Sequence, residues 1–172
     1  MKSRPIIVFA LVLGFGFLQA EGIAGYAGSF LRFGTTAYSM GMGGGFTAAL
    51  DHGFPGYHNP AAVSFLEKRN VTVLHHFLPL DRYLVSASFS TKLPPSAGIG
   101  IGIVNAGVDK IDGRDASAHK TGTFSTEEYA VYVSFANRLM PKLSLGVNVK
   151  MFYQLLPMGA GISTKGTGVD AG

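Results

Sequence analysis

The residue types with the most specific chemistry are five histidines and a run of aspartates. His75 and His76 are adjacent, and on a strand neighbouring side chains leave opposite faces, so the pair cannot share a metal ion. His52 and His58 stand in a loop with no carboxylate pattern beside them, which is not the clustered donor set that zinc requires. Asp109, Asp112 and Asp115 recur every third residue, whereas an EF-hand loop places ligands at its first, third and fifth positions and glycine at its sixth. A solvated loop accounts for them better. No metal is expected.

Gly41-Met42-Gly43-Gly44-Gly45 has the look of a phosphate cradle, but the Gly-Lys-Ser/Thr ending is missing and no apolar strand precedes it. Packing of a glycine-rich segment is the reading this leaves, and no cofactor is expected. Serine, histidine and aspartate are all present, yet no Gly-x-Ser-x-Gly elbow occurs, so catalysis is not expected either. The absence of cysteine rules out disulfides, thiolate metal sites and a lipid-modified N-terminal cysteine. The net charge of +4 falls to +2 without Lys2 and Arg4, because every acidic residue lies after position 20. No basic stripe remains to bind nucleic acid.

The elements that hold these residues are indicated by composition. The 172 residues include 24 glycines and no tryptophan; 47% are hydrophobic, only 14% are charged, and mean hydropathy is +0.28. An ordinary soluble domain has about 25% charged residues, so a water-facing surface is under-supplied. A membrane helix needs about 20 consecutive apolar residues, and only the N-terminus comes near that. The remaining apolar residues are scattered in short alternating pieces, and in lipid the only alternative to helices is a closed barrel.

Residues 1–20 have the layout of a secretory signal: Lys2 and Arg4, an apolar stretch from Ile6 to Leu18, then Gln19-Ala20-Glu21. Cleavage after Ala20 would put Leu18 at the minus-three position; cleavage after Ala24 would put Gly22 there. An uncleaved anchor is the rival, but the apolar core is short for a span. Export combined with a membrane-like mature chain predicts the outer membrane of a diderm bacterium, with outer-membrane lipid as the surrounding partner.

After residue 70 the chain alternates with the period of a two-faced strand. Tyr83, Val85, Ala87 and Phe89 oppose Ser86, Ser88 and Ser90; Ala97, Ile99, Ile101 and Ile103 oppose Gly98, Gly100 and Gly102. Tyr129, Val131, Val133 and Phe135 oppose Ala130, Tyr132, Ser134 and Ala136, and Leu143 to Tyr153 repeats the pattern. The last two reach the roughly 9–11 residues of a tilted membrane-spanning strand. Short turns are predicted at 79–81, 92–95 and 138–142, and a long polar loop from Asn105 to Phe124. Short connections on one side and long ones on the other are the habit of outer-membrane barrels.

These patterns predict an all-β fold: the N-terminal part of an antiparallel transmembrane β-barrel, preceded by a glycine-rich luminal plug segment. The expected division is 1–20 signal peptide, 21–68 plug, and 69–172 an incomplete barrel of about five strands, with a sixth starting near Gly168-Val169-Asp170. Branched and aromatic side chains should face lipid, and glycine, serine, asparagine and lysine the interior. A lysine on the lipid side near mid-membrane costs about 2–4 kcal/mol, so Lys150, on the same face as Asn148 and Gly146, is expected to be luminal. Such barrels need at least about 8 strands, so this chain alone should not close.

The order of motifs resembles the PorV/PorQ-like branch of the FadL-type outer-membrane proteins. In that family a leader is followed by a glycine motif, an acidic spacer, an Asn-Pro-Ala-like motif and the first strand. Here Ala37, Met40, Gly41, Gly43 and Gly44 match the glycine motif, Asp51 the acidic position, and Asn59-Pro60-Ala61 the triplet. Thr121-Gly122-Thr123-Phe124-Ser125 and Gly168-Val169-Asp170 also look like the family, while His52-Gly53-Phe54-Pro55-Gly56 departs from its smaller, more acidic spacer. The resemblance implies a lumen partly filled by the N-terminal segment. It implies passage of hydrophobic small molecules such as long-chain fatty acids in one branch. In the other it implies a non-transporting scaffold partnered with secretion-machinery proteins.

Overall fold

A computed structural model describes residues 28–50, 53–156 and 162–172. The expected leader (1–20), both cleavage positions and Asp51 lie outside the described residues. Six strands, β1 (Asn70–Leu78), β2 (Arg82–Leu93), β3 (Ala97–Arg114), β4 (Lys120–Met140), β5 (Leu143–Leu156) and β6 (Ile162–Ala171), form one antiparallel sheet in sequence order. The sheet is open, with β1 and β6 at its edges.

Because each strand pairs in register with the next, the period-2 alternation of single strands adds up to rows across the sheet. One face carries the row Val71, Phe89, Ile101, Val133, Val149, Val169 and, beside it, Val73, Ala87, Ile103, Val131, Met151, Thr167. The opposite face carries Asn70, Ser90, Gly100, Ser134, Asn148, Asp170 and then Thr72, Ser88, Gly102, Tyr132, Lys150, Gly168. Burial is inverted relative to a soluble sheet: the small and polar row is covered, while Val71, Ile101, Val133 and Val149 are exposed.

The cover is the N-terminal segment. It folds into a 3-10 turn at Ser29–Phe33, a short helix at Ala37–Gly41, a single helical turn at Pro55–His58 and a second 3-10 turn at Pro60–Phe65. The last of these lies against β3, β4 and β5. Phe30 and Phe54 join Leu84, Val104, Ala106, Ala130 and Tyr132 in the only sizeable buried cluster among the described residues, flanked by Leu31, Tyr57, Leu74 and Phe152.

Two expectations need correction. The polar segment from Asn105 to Phe124 is not a long loop: β3 continues to Arg114, β4 starts at Lys120, and Ile111 pairs with Phe124 and Asp112 with Thr123. This part of the hairpin runs past β2, whose pairing with β3 stops at Val108, so both of its faces meet solvent and no apolar alternation marks it. A register shift between Val108 and Ile111, with Lys110 at φ 54°, separates the ribbon from the sheet. The second correction concerns the strand count, which is six among the described residues. β6 begins at Ile162 rather than Gly168, and its Ser163-Thr164-Lys165-Gly166-Thr167 lacks the apolar half of the pattern.

Candidate functional site

The candidate site is the seam between the N-terminal segment and the polar face. Its tightest part surrounds the Asn-Pro-Ala turn. Asn59 is extended at φ −151°, as a residue before proline must be, and its side chain accepts a bond from the Ala61 N–H at 3.1 Å. Its amide also donates to the Thr47 carbonyl at 3.2 Å, so one side chain caps the turn and ties back the preceding loop. Ala61, Ala62, Val63 and Ser64 are buried against the sheet. The Ser64 and Ser144 hydroxyls lie 2.7 Å apart, and Arg138 donates to the Ser64 carbonyl at 2.7 Å while its guanidinium covers the Phe65 ring at 4.5 Å.

Glycines in the strands make this approach possible. A Cβ on Gly98 would sit 2.6 Å from the Val63 carbonyl carbon and 2.9 Å from Ser64 Cα. On Gly146 it would sit 2.7 Å from Ala61 Cα, and on Gly102 2.7 Å from the Phe54 ring. Backbone thus rests directly on backbone along β3 and β5. A polar network continues the seam: Ser134 donates to Asn148 at 3.1 Å, Asn148 donates to the Gly56 carbonyl at 3.3 Å and to Asp170 at 3.3 Å, and Asp170 pairs with Lys150 at 2.5 Å. The Lys150 ammonium also stands 5.6 Å from the Tyr132 ring centre.

Among the described contacts, residues 28–50 are held to the sheet more by burial of Phe30 and Thr35 than by side-chain hydrogen bonds. Ser86 donates to the Thr35 carbonyl at 3.2 Å, and the Tyr57 hydroxyl donates to the Leu31 carbonyl. Thr36 caps the short helix by accepting from the Ser39 N–H at 3.0 Å. Between Phe30, Phe33 and the wall formed by Leu84, Ala106 and Val108 lies a cavity of about 370 Å³, with Arg82 and Glu128 as its charged border. His58 is half-buried between Phe46, at 5.1 Å, and Tyr57, at 4.8 Å. Burial first, and the Lys150 charge second, hold its imidazole below the usual histidine range.

The structure thus joins Asn59, Pro60, Ala61, Asn148 and Lys150 at one seam. It separates them from the glycine cluster. Gly41, Gly43 and Gly44 are exposed and a Cβ there would meet nothing within 4 Å, so packing does not explain them. They form a turn in which Gly43 and Gly44 take φ 62° and 82°, conformations that favour glycine. Met40 is half-buried beside this turn. Arg138, Ser64, Ser144 and Gly98 were not singled out from sequence as parts of a site; the alternating glycines of β3 were the available signal.

On the ribbon Lys120 forms an exposed ion pair with Asp112 at 2.6 Å and the His119 ring lies 3.6 Å from the Asp115 carboxylate, while Lys110 pairs with Asp81 of the β1–β2 turn at 3.2 Å. Among the described residues no group of three or more potential ligands is placed to hold a metal ion, and no helix is long and apolar enough to cross a membrane. Compared with known proteins, the chain matches no family model, no curated protein and no solved structure.

Proposed function

We infer that the sheet is the first part of an outer-membrane β-barrel of the FadL/PorV type, and that the N-terminal segment is its plug. The observation that carries the reading is the two-faced register. Strands bonded edge to edge present one continuous apolar face with none of the described residues over it, while their polar face is covered by the segment of residues 28–65. In β4 the apolar positions run from Phe135 to Tyr129, and in β5 from Leu143 to Tyr153. The β5 stretch, at about 3.4 Å per residue and a tilt of about 35–45°, rises roughly 25 Å, close to the apolar band of such barrels.

Tyr129 and Tyr153 are cross-strand partners on that face, with Lys165 paired to Tyr153, so aromatic and charged groups enter near this end of the band, one same-face position before Leu155 and Glu127. Closure requires further strands to cover β1 and β6, since an open edge is not tolerated in lipid. The plug has an anchored half, residues 53–65, pressed onto the strand glycines, and a lightly tethered half, residues 28–50, over the apolar cavity. In this reading a hydrophobic small molecule, a long-chain fatty acid being the type, passes when the lightly tethered half moves away from the wall. A cavity of this size is adequate for part of an apolar ligand.

The test uses cells expressing the full-length gene and a fluorescent fatty acid. Saturable uptake that is lost on deletion of residues 30–62 supports transport. No uptake, together with loss of surface-protein secretion in a knockout, overturns it in favour of the scaffold role. Full-length protein that stays folded and monomeric in buffer without detergent removes both.

A further inference from the structure

The apolar face of the sheet is not uniform. Across β1, β2 and β3 it contains a hollow of about 460 Å³ walled by Val71, Val73, Phe89, Ile101 and Ile103. Ala87 creates it, since its cross-strand partners are Val73 and Ile103 and one short side chain sits among branched ones. Ser88 and Gly102 also border the hollow, although their side-chain direction is the opposite face, so they contribute backbone to its floor.

Further along the same strands, toward the turn at Pro79–Asp81, lies a second hollow of about 500 Å³ walled by His75, Phe77 and Val85. Val73 and His75, like Ala87 and Val85, are successive same-face positions, so the two hollows, which share no wall residue, lie end to end as a slot. From Val71 to Phe77 it extends roughly 20 Å along the strand. Its far rim carries charges of both signs: Lys110 stands there with Asp81 and Asp109, while Arg82, at the parity of Leu84 and Ser86, contributes backbone and directs its side chain to the other face. Lys110 and Asp81 are paired at 3.2 Å, but both are exposed, and such pairs are weakly held and can exchange partners.

A slot that is apolar for most of its length and bears both signs of charge at one end matches one lipid molecule. The chain would lie over Ala87. At the rim a phosphate would take hydrogen bonds from Lys110, and an ammonium would meet Asp109. A headgroup with negative charge only would leave two carboxylates facing it. We propose that the outer surface of β1–β3 binds a single zwitterionic phospholipid of the phosphatidylethanolamine type. The inference rests on the membrane reading given above.

The experiment is native mass spectrometry of the full-length protein in mild detergent with equimolar phosphatidylethanolamine and phosphatidylglycerol. One phosphatidylethanolamine should be retained in preference. Ala87→Leu, which fills the hollow, should lower its occupancy at least fivefold, while Val149→Leu elsewhere on the same face should leave it unchanged. Asp109→Asn, at an exposed position outside the core, should abolish the preference between the two lipids with total binding kept; this readout stands even if Ala87→Leu fails to fold. Equal retention of both lipids by the wild type, or unchanged occupancy in Ala87→Leu, overturns the proposal. A protein that needs detergent but holds no lipid overturns this site alone; one folded and monomeric without detergent overturns the membrane reading beneath it.

Discussion

Gly98→Ala is the most direct probe of how the N-terminal segment is seated. The new Cβ would press closest on the Val63 carbonyl oxygen and lie 2.6 Å from its carbon and 2.9 Å from Ser64 Cα, whereas ordinary contact begins at 3.4 Å, so the turn must retreat by about 1 Å. All three atoms are backbone, and Val63 and Ser64 are fully buried, so no flexible side chain can absorb the clash. Overpacking of this kind costs about 1–3 kcal/mol. Replacing a strand glycine by alanine regains roughly 0.5–1 kcal/mol of chain entropy, so the net loss should be about 0.5–2 kcal/mol.

Gly122→Ala supplies the control, because its nearest neighbour would be the Phe124 ring at 3.8 Å. That variant should be neutral or slightly stabilising. Gly146→Ala presses the same turn from β5, 2.7 Å from Ala61 Cα, so the double variant with Gly98→Ala should cost less than the two single costs added. Urea unfolding of the full-length protein in micelles measures each term, and limited proteolysis of residues 28–65 shows whether the loss is local to the segment. If Gly98→Ala and Gly122→Ala agree within about 0.3 kcal/mol, the backbone-on-backbone seating is wrong.

Other consequences follow from single contacts. On the proposed membrane reading, Val133→Lys, in the middle of the apolar face, should cost about 2–4 kcal/mol in bilayer folding, and Thr123→Lys on the exposed ribbon close to nothing; equal effects would remove the assignment of faces. Asn59→Ala removes the cap at Ala61 and the tie to Thr47, for a loss of about 1 kcal/mol and faster protease cutting at the exposed Gly41–Gly45 turn, read on a gel time course. Lys150→Met and Asp170→Asn should each destabilise, with a double-mutant coupling of about 0.5–3 kcal/mol; additive losses would mean the pair is not formed. His58 has a lowered folded-state pKa, so its contribution is fully present above the unfolded value of about 6.5 and declines as pH falls from there toward the folded value. Unfolding curves between pH 7.5 and 5 should show this slope in the wild type and a shallower one in His58→Gln.

What the sequence determined by itself was everything carried by local periodicity. A side chain's face on a strand depends only on the parity of its position, so the bounds of β1, the alternation of β3 through β5 and the turn at 79–81 are written in the order of Val73, Ile99, Ile101, Val147 and their small neighbours, while the turn expected at 92–95 falls at 94–96 because Lys92 and Leu93 still pair with β3. Proline likewise made Asn59 extended by local sterics alone. The ribbon beyond Val108 and the start of β6 escaped because solvent on both faces imposes no apolar period. Only the tertiary structure decided which atoms meet at the seam. That Gly98 and Gly146 are empty so that the Asn-Pro-Ala turn can rest on the strands, while Gly43 and Gly44 serve a free turn, depends on contacts between residues far apart in the chain. Glycine is one letter for both roles, and it is the neighbouring backbone, brought there by folding, that distinguishes space from conformational freedom.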